Sequence, residues 1–204
     1  MLVLGVTCQY EHFSLDFDNL AGKTKTIWDP FCGTGTILLE ALLMQKNFIA
    51  SDLSSEMVQA TKKNLTWLNN LFKNRFNQNI EQIFTHDAKK FINITVDAII
   101  TEGYLGQPLR SYPQFTDLKI CDEHLSNLYK NFFKHARKNK IKTIVLCLPV
   151  YKMKNNLGFM EKTLESILQS GYNRQALSTN KRKSLLYSRD NQFVFREIFR
   201  FSLD

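Results

Sequence analysis

Asp29-Pro30-Phe31-Cys32-Gly33-Thr34-Gly35-Thr36 joins a short apolar stretch, Thr26-Ile27-Trp28-Asp29, to a run with apolar residues at Ile37, Leu38, Ala41, Leu42 and Met44. The first stretch reads as a strand over 26–29 and the second as a helix over 36–45. Gly33 and Gly35 between them tolerate positive φ and carry no side chain, so the chain can turn sharply and a ligand can approach the backbone. The helix start directs free N–H groups at an anionic group such as a carboxylate. In open α/β folds, ligands bind beyond the carboxyl ends of the strands, where this turn lies. Asp29, at the strand end, is placed to hold a cationic ammonium directly or through water.

Leu38 and Thr36 exclude two other glycine-rich turns. A dinucleotide fingerprint needs a third small residue where Leu38 stands, and a phosphate-binding P-loop needs a lysine after its last glycine, where Thr36 stands.

Outward from the turn, the chain alternates strands and helices. Strands are expected at 48–51, 81–86, 97–101 and 143–148. Helices are expected from Ser54 or Ser55 to about Phe72, at 122–138 and at 159–170. Strands at 172–177, 185–188 and 193–201 close the chain, with Arg189-Asp190-Asn191 as a hairpin turn. The run 143–148 is apolar throughout, as in a strand buried on both faces. This order implies a mostly parallel α/β sheet with helices on both faces and an antiparallel pair at the end. Residues 102–121 show no clear element, and a stretch of that length in a domain is more often functional than idle.

Two acids extend the site. Asp52 ends the second strand, 17 positions beyond Gly35, where a carboxylate can accept both hydroxyls of a ribose. Leu53 follows it. Asp87 follows the third strand with Ala88 next, which suits an adenine: a carboxylate for the exocyclic amine and a backbone N–H for a ring nitrogen. Alone, a strand-end Asp is as readily a cap.

The 204 residues suit one domain, expected over 1–204 with residues 1–25 as a short extension. No run of 18 uncharged apolar residues occurs, so no membrane span is expected. The four cysteines and four histidines form no metal-ligand spacing, and the thiols read as reduced, in a cytoplasmic protein. The net charge of +8 favours a polyanionic partner. Lys181, Arg182, Lys183 and Arg189, near Tyr187 and Phe193, form a candidate nucleic-acid surface, since basic and aromatic residues together suit phosphate contact and base stacking. A second basic cluster, Lys134 to Lys142, reads as a solvated helix face.

Residues 29–43, DPFCGTGTILLEALL, closely resemble the first motif of the RNA methylase family that includes the THUMP-containing tRNA guanine-N2 methyltransferases. Ala50 to Val58 resembles the second motif and His86-Asp87-Ala88 the third; the resemblance covers roughly residues 20–150. It implies a class I methyltransferase (Rossmann-like) fold with a seven-stranded sheet. It also implies S-adenosylmethionine (SAM) as cofactor, with S-adenosylhomocysteine as product, held by Asp29, Pro30, Phe31, Cys32, Gly33, Gly35, Thr36, Asp52, Leu53, Asp87 and Ala88. The implied substrate is an exocyclic base amine in RNA, above all guanine N2 in tRNA. The family's fourth motif, Asp/Asn-Pro-Pro-Tyr/Phe, is replaced by Glu102-Gly103-Tyr104. Glu102 and the next backbone carbonyl would accept the amine's two N–H bonds and Tyr104 would stack on the base, but Glu is one methylene longer than Asp. Because of this departure, a non-catalytic SAM-fold subunit that binds RNA or a partner is an alternative, with a DNA amino-methyltransferase third. The 25 residues before the first strand leave no room for a THUMP domain, so the expectation is a domain of a split system, a truncated chain, or a protein that borrows its RNA-binding surface from a partner protein.

Overall fold

The sheet runs in the order β3-β2-β1-β4-β5-β9-β7 in the computed structural model, which describes residues 25–72, 82–188 and 191–203. The strands are β1 (Thr26–Asp29), β2 (Asn47–Asp52), β3 (Ile83–Thr85), β4 (Ala98–Thr101), β5 (Thr143–Lys152), β6 (Leu157–Gly158), β7 (Asn173–Gln175), β8 (Leu185–Tyr187) and β9 (Val194–Ser202). β1 to β5 pair in parallel, whereas β9 runs antiparallel to both β5 and β7. β8 adds antiparallel to β9, as the expected terminal pair, and β6 adds to the end of β5. The helices are α1 (Thr36–Leu43), α2 (Ser55–Leu71), α3 (Phe115–Lys138) and α4 (Glu161–Gln169). This is the class I methyltransferase arrangement expected from the sequence, but among the described residues the sheet has nine strands rather than seven, because β6, which the sequence did not signal, and β8 add to the seven-strand path.

Alternation along the strands builds two cores. Ile27, Ile100, Val145 and Cys147 pack with α1 and α2 on one face. Trp28, Ile99, Ile144 and Leu146 pack with α3 and α4 on the other. Each face follows from the period of two in a strand. α1 begins where Gly35, at φ 88, turns the chain out of the loop, and α2 begins where the Ser54 hydroxyl accepts the Met57 N–H. α4 has no cap of its own. Asp122 of α3 accepts the N–H groups of Lys162 and Thr163 instead, at 3.0 and 2.8 Å, which fixes the two helices together.

Two boundaries differ from expectation. α3 begins at Phe115, because Gln114 and Asp117 form a reciprocal capping box, so the loop after β4 ends at 114 rather than 121. β5 continues past Pro149 to Lys152. β4 ends opposite Leu146 and β6 joins only at Tyr151, so at Pro149 β5 is open on one side, where a missing N–H is tolerated. The six residues 147–152 carry β5 and its partner β9 about 20 Å beyond the end of β4. No described helix is long and apolar enough to cross a membrane.

Candidate active site

The carboxyl edge holds a cavity of about 780 Å³. Its lining includes Pro30, Phe31 and Gly33 from the turn after β1, Asp52 and Leu53 from the end of β2, and Asp87 and Ala88 from the end of β3. Glu102, Gly103 and Tyr104, which follow β4, close it on the other side. Residues from four strand ends, up to 74 positions apart, thus meet in one place, as the parallel topology requires.

Four residues expected to touch a cofactor sit behind this lining. Asp29 is 1% exposed; its Oδ1 accepts the Thr101 hydroxyl at 2.7 Å and the Phe31 N–H at 3.2 Å. Burial pushes its carboxyl up to about 7, with Glu102 and Asp52 adding to the rise. Cys32 is buried against Thr61 of α2, and burial drives its thiol up to about 12, so it stays neutral. A Cβ on Gly35 would lie 2.8 Å from the Thr61 methyl, so this glycine makes room for α2 rather than for a ligand. Thr36 opens α1 without lining the cavity. At Gly33 the reverse holds: a Cβ there would meet nothing within 4 Å.

Hydrogen bonds tie the lining together. Asp52 accepts the Gly33 N–H through Oδ2 and the Ser54 N–H through Oδ1, each at 2.9 Å, so it braces the glycine turn. Asp87 accepts the Lys89 N–H through Oδ1, which makes it a turn cap as well as a wall residue. Thr101 donates its hydroxyl proton to Asp29 and accepts the Gly103 N–H, coupling the turn after β1 to the segment after β4. The Tyr104 N–H donates to the Tyr129 hydroxyl at 3.0 Å; burial pushes that phenol well above its ordinary range, so it remains neutral. The Tyr104 ring lies edge-on to His124 at 5.9 Å, and its hydroxyl accepts from Gln107. Glu102 Oε1 accepts from Arg196 Nε of β9 at 2.6 Å. Sequence reasoning missed Thr101, Tyr129, His124, Asn127 and Arg196. Thr101, polar at the end of Ala98-Ile99-Ile100, carried a readable signal; the others did not.

The basic candidates separate. The Arg182 guanidinium turns inward, bonded to Glu161 and to both oxygens of the buried Glu197, and stacks 4.2 Å above Phe159. It is therefore committed to packing and not offered to a phosphate. Lys181 and Lys183 are exposed, and none of the three lines the cavity. Arg189 lies outside the described residues, as do Asp190 and most of the 1–25 extension. Of the Lys134 to Lys142 cluster, Arg137 donates to the Ser170 carbonyl and Lys138 covers Phe91, in keeping with a solvated structural face.

The cavity fits the chemistry of SAM. Open space at Gly33, the Asp52 carboxylate with acceptor capacity beyond its two N–H bonds, the 70% exposed apolar Leu53 and the Asp87-Ala88 pair offer sites for an amino-acid end, a ribose and an adenine. In overall fold the chain is similar to a magnesium protoporphyrin IX methyltransferase from Synechocystis with SAM bound, with a TM-score of 0.60 and 16% identity over 95% of this chain and 76% of that one. It is equally similar to a tRNA (uracil-54, C5)-methyltransferase from Pyrococcus abyssi in complex with S-adenosylhomocysteine, with a TM-score of 0.60 and 11% identity over 95% and 37% of the two chains. In sequence it is 28% identical, over 123 residues, to a tRNA (guanine(10)-N2)-dimethyltransferase from Methanothermobacter thermautotrophicus; the match spans 60% of this chain and about a third, 32%, of that relative. Residues 18–166 match the family described as RMKL-like, methyltransferase domain. With that match over most of its length, the chain belongs to the RMKL-like methyltransferase domain family and has the class I methyltransferase fold.

Proposed function

We propose that this chain methylates an exocyclic amine of a base in RNA, with guanine N2 in tRNA as the leading acceptor. One observation carries the reading: the cavity that fits SAM is walled on its far side by Glu102, Gly103 and Tyr104. The tRNA guanine-N2 relative supports the same acceptor class. When bound, SAM supplies an electrophilic methyl group. Pro30, Phe31, Gly33, Asp52, Leu53, Asp87 and Ala88 hold it, while Asp29, Cys32, Gly35 and Thr36 support the turn from behind.

The protein itself must make a poor nucleophile react. An exocyclic amine delocalises its lone pair into the ring. Glu102 and the Gly103 carbonyl accept its N–H bonds, which orients the nitrogen lone pair and later draws off the proton. Tyr104, held upright by His124 and Gln107, offers a face to an extruded base. The exposed Lys181 and Lys183 attract the phosphate backbone, with a partner protein as a further source of RNA affinity.

Calorimetry with SAM and S-adenosylhomocysteine, followed by tritiated-methyl transfer into bulk tRNA and into DNA, tests the reading. Binding plus label in tRNA is expected; label in DNA alone would reassign the substrate, and binding without transfer to either would favour a non-catalytic RNA-binding subunit. Asp52→Ala should weaken SAM about tenfold to a hundredfold, the equivalent of one or two lost charge-assisted hydrogen bonds. Unchanged affinity in this variant would remove Asp52 from the cofactor site.

A further inference from the structure

We propose that Arg196 is a positioning residue of the acceptor site, holding the Glu102 carboxylate where it receives the substrate amine. The inference rests on the methyl-acceptor reading above and goes beyond it to a residue of another strand.

Strand register sets the two residues apart. Thr101 at the end of β4 pairs with Leu146, and Arg196 of β9 pairs with Pro149, so β5 lies between the two charged residues. Strands two apart in a sheet are separated by about 10 Å. Only two long side chains can close that gap, and they do so with Oε1 of Glu102 2.6 Å from Nε of Arg196. The shorter side chain of an aspartate at 102 would have one methylene less to span it. The pair passes near the buried Cys147 thiol of β5, which feels both charges. Arg196 is itself held: Nη1 donates to Gln192 Oε1 at 3.3 Å.

Magnitudes decide what the pair is for. The side chains of Glu102 and Arg196 are 35% and 22% exposed, and an ion pair so placed adds little to stability. Orientation is worth more, because misplacing a reacting group by about 1 Å costs roughly 10²-fold in rate. Glu102 follows directly on a strand end and lines the cavity, and its three side-chain torsions would otherwise leave the carboxylate free to swing. The guanidinium Nε–H fixes one oxygen, and the remaining acceptor capacity of the carboxylate serves the amine.

Arg196 also lines a smaller cavity, of about 330 Å³, between Leu105 to Leu109 and Asn191 to Val194. A substrate group entering there would touch the arginine directly, and the experiment separates the two roles. Steady-state methyl transfer into bulk tRNA is measured for the wild-type chain, Arg196→Met, Arg196→Lys, Glu102→Ala and the Glu102→Ala/Arg196→Met double variant. Arg196→Met should lower kcat by about tenfold or more, with KM for SAM and tRNA unchanged within a factor of about two. Arg196→Lys should recover part of the loss, and the double variant should be no slower than Glu102→Ala alone. A raised KM for tRNA at constant kcat, or losses that multiply in the double variant, would overturn the proposal in favour of direct substrate contact. A normal Arg196→Met beside an inactive Glu102→Ala would overturn it while sparing the acceptor reading. Binding of guanosine 5′-monophosphate to the chain saturated with S-adenosylhomocysteine gives a second readout, with weakening expected in Glu102→Ala, no further weakening in the double variant, and affinity within a factor of about two of wild type in Arg196→Met. If the wild type neither transfers a methyl group to tRNA nor binds the nucleotide, both proposals fall together.

Discussion

Gly103→Ala is expected to cost about 10²-fold or more in methyl transfer and several degrees in melting temperature, while leaving SAM affinity within a few-fold of wild type. Gly103 has φ 74, in the left-handed region, where a non-glycine residue costs about 1 kcal/mol. The space a Cβ would take is already occupied: an added methyl would lie 2.3 Å from the Tyr129 hydroxyl and 2.7 Å from Leu146 Cδ1. Neither neighbour can yield cheaply. Tyr129 and Leu146 are fully buried, and the hydroxyl accepts the Tyr104 N–H. Overpacking of this kind adds about 1–3 kcal/mol. The segment must therefore shift, and it carries Glu102 on one side and Tyr104 on the other, so the acceptor site loses its alignment. The ends of β2 and β3 keep their shape, and the turn after β1, linked to Gly103 only through the Thr101 hydroxyl, moves little. Removing the phenol oxygen should relieve part of the clash, so Gly103→Ala/Tyr129→Phe should be less damaged than the sum of the single variants. Thermal unfolding, calorimetry and tritium transfer read the three quantities. An alanine variant with wild-type rate and melting point would mean that the backbone at 103 does not define the site.

What can be read from the sequence is what local chemistry expresses. Gly33 and Gly35 both take positive φ, at 51 and 88, as the strand–turn–helix reading requires, and Asp52 and Asp87 stand at strand ends where short-range pattern places them. Local pattern misleads where the deciding partner is distant. Gly35 reads as an opening for a ligand because nothing nearby in sequence announces Thr61. Arg182 reads as part of a basic cluster because its neighbours are lysines, yet Glu161 and Glu197 claim it across the fold. Glu102 reads as an imperfect substitute for a shorter acid. Its extra length has a use that only the sheet order reveals, since Arg196 is 94 residues away. The start of α3 is hidden because Gln114 is an uncommon cap, and the end of β5 because Pro149 normally stops a strand unless one side is already open.

Asp29 should make the stability of this protein fall as pH rises from about 4 to about 7, and Asp29→Asn should remove that slope. In the folded chain burial raises this carboxyl from 3.8 to about 7. Between those values the folded state holds the proton and the unfolded state releases it, so unfolding gains from each step up in pH. Below about 4 both states are protonated and above about 7 both are ionised, so the effect is confined to that window and reaches about 4 kcal/mol across it. Asparagine keeps an oxygen to accept the Thr101 hydroxyl and the Phe31 N–H and carries no charge to desolvate. The difference in unfolding free energy between variant and wild type should thus grow in the variant's favour up to about pH 7 and then stay constant, with other titrating groups cancelling in the comparison. Two denaturation curves that remain parallel from pH 4 to 8 would show that Asp29 is not buried as a lone acid. A cationic ammonium bound near the turn would favour the ionised form, so SAM binding by the wild type should release protons near pH 7 and strengthen as pH rises through it. The asparagine variant should do neither. The same buried acid that costs the free protein stability at neutral pH would then favour a cationic ligand, and the thermal and calorimetric curves must change together for that account to hold.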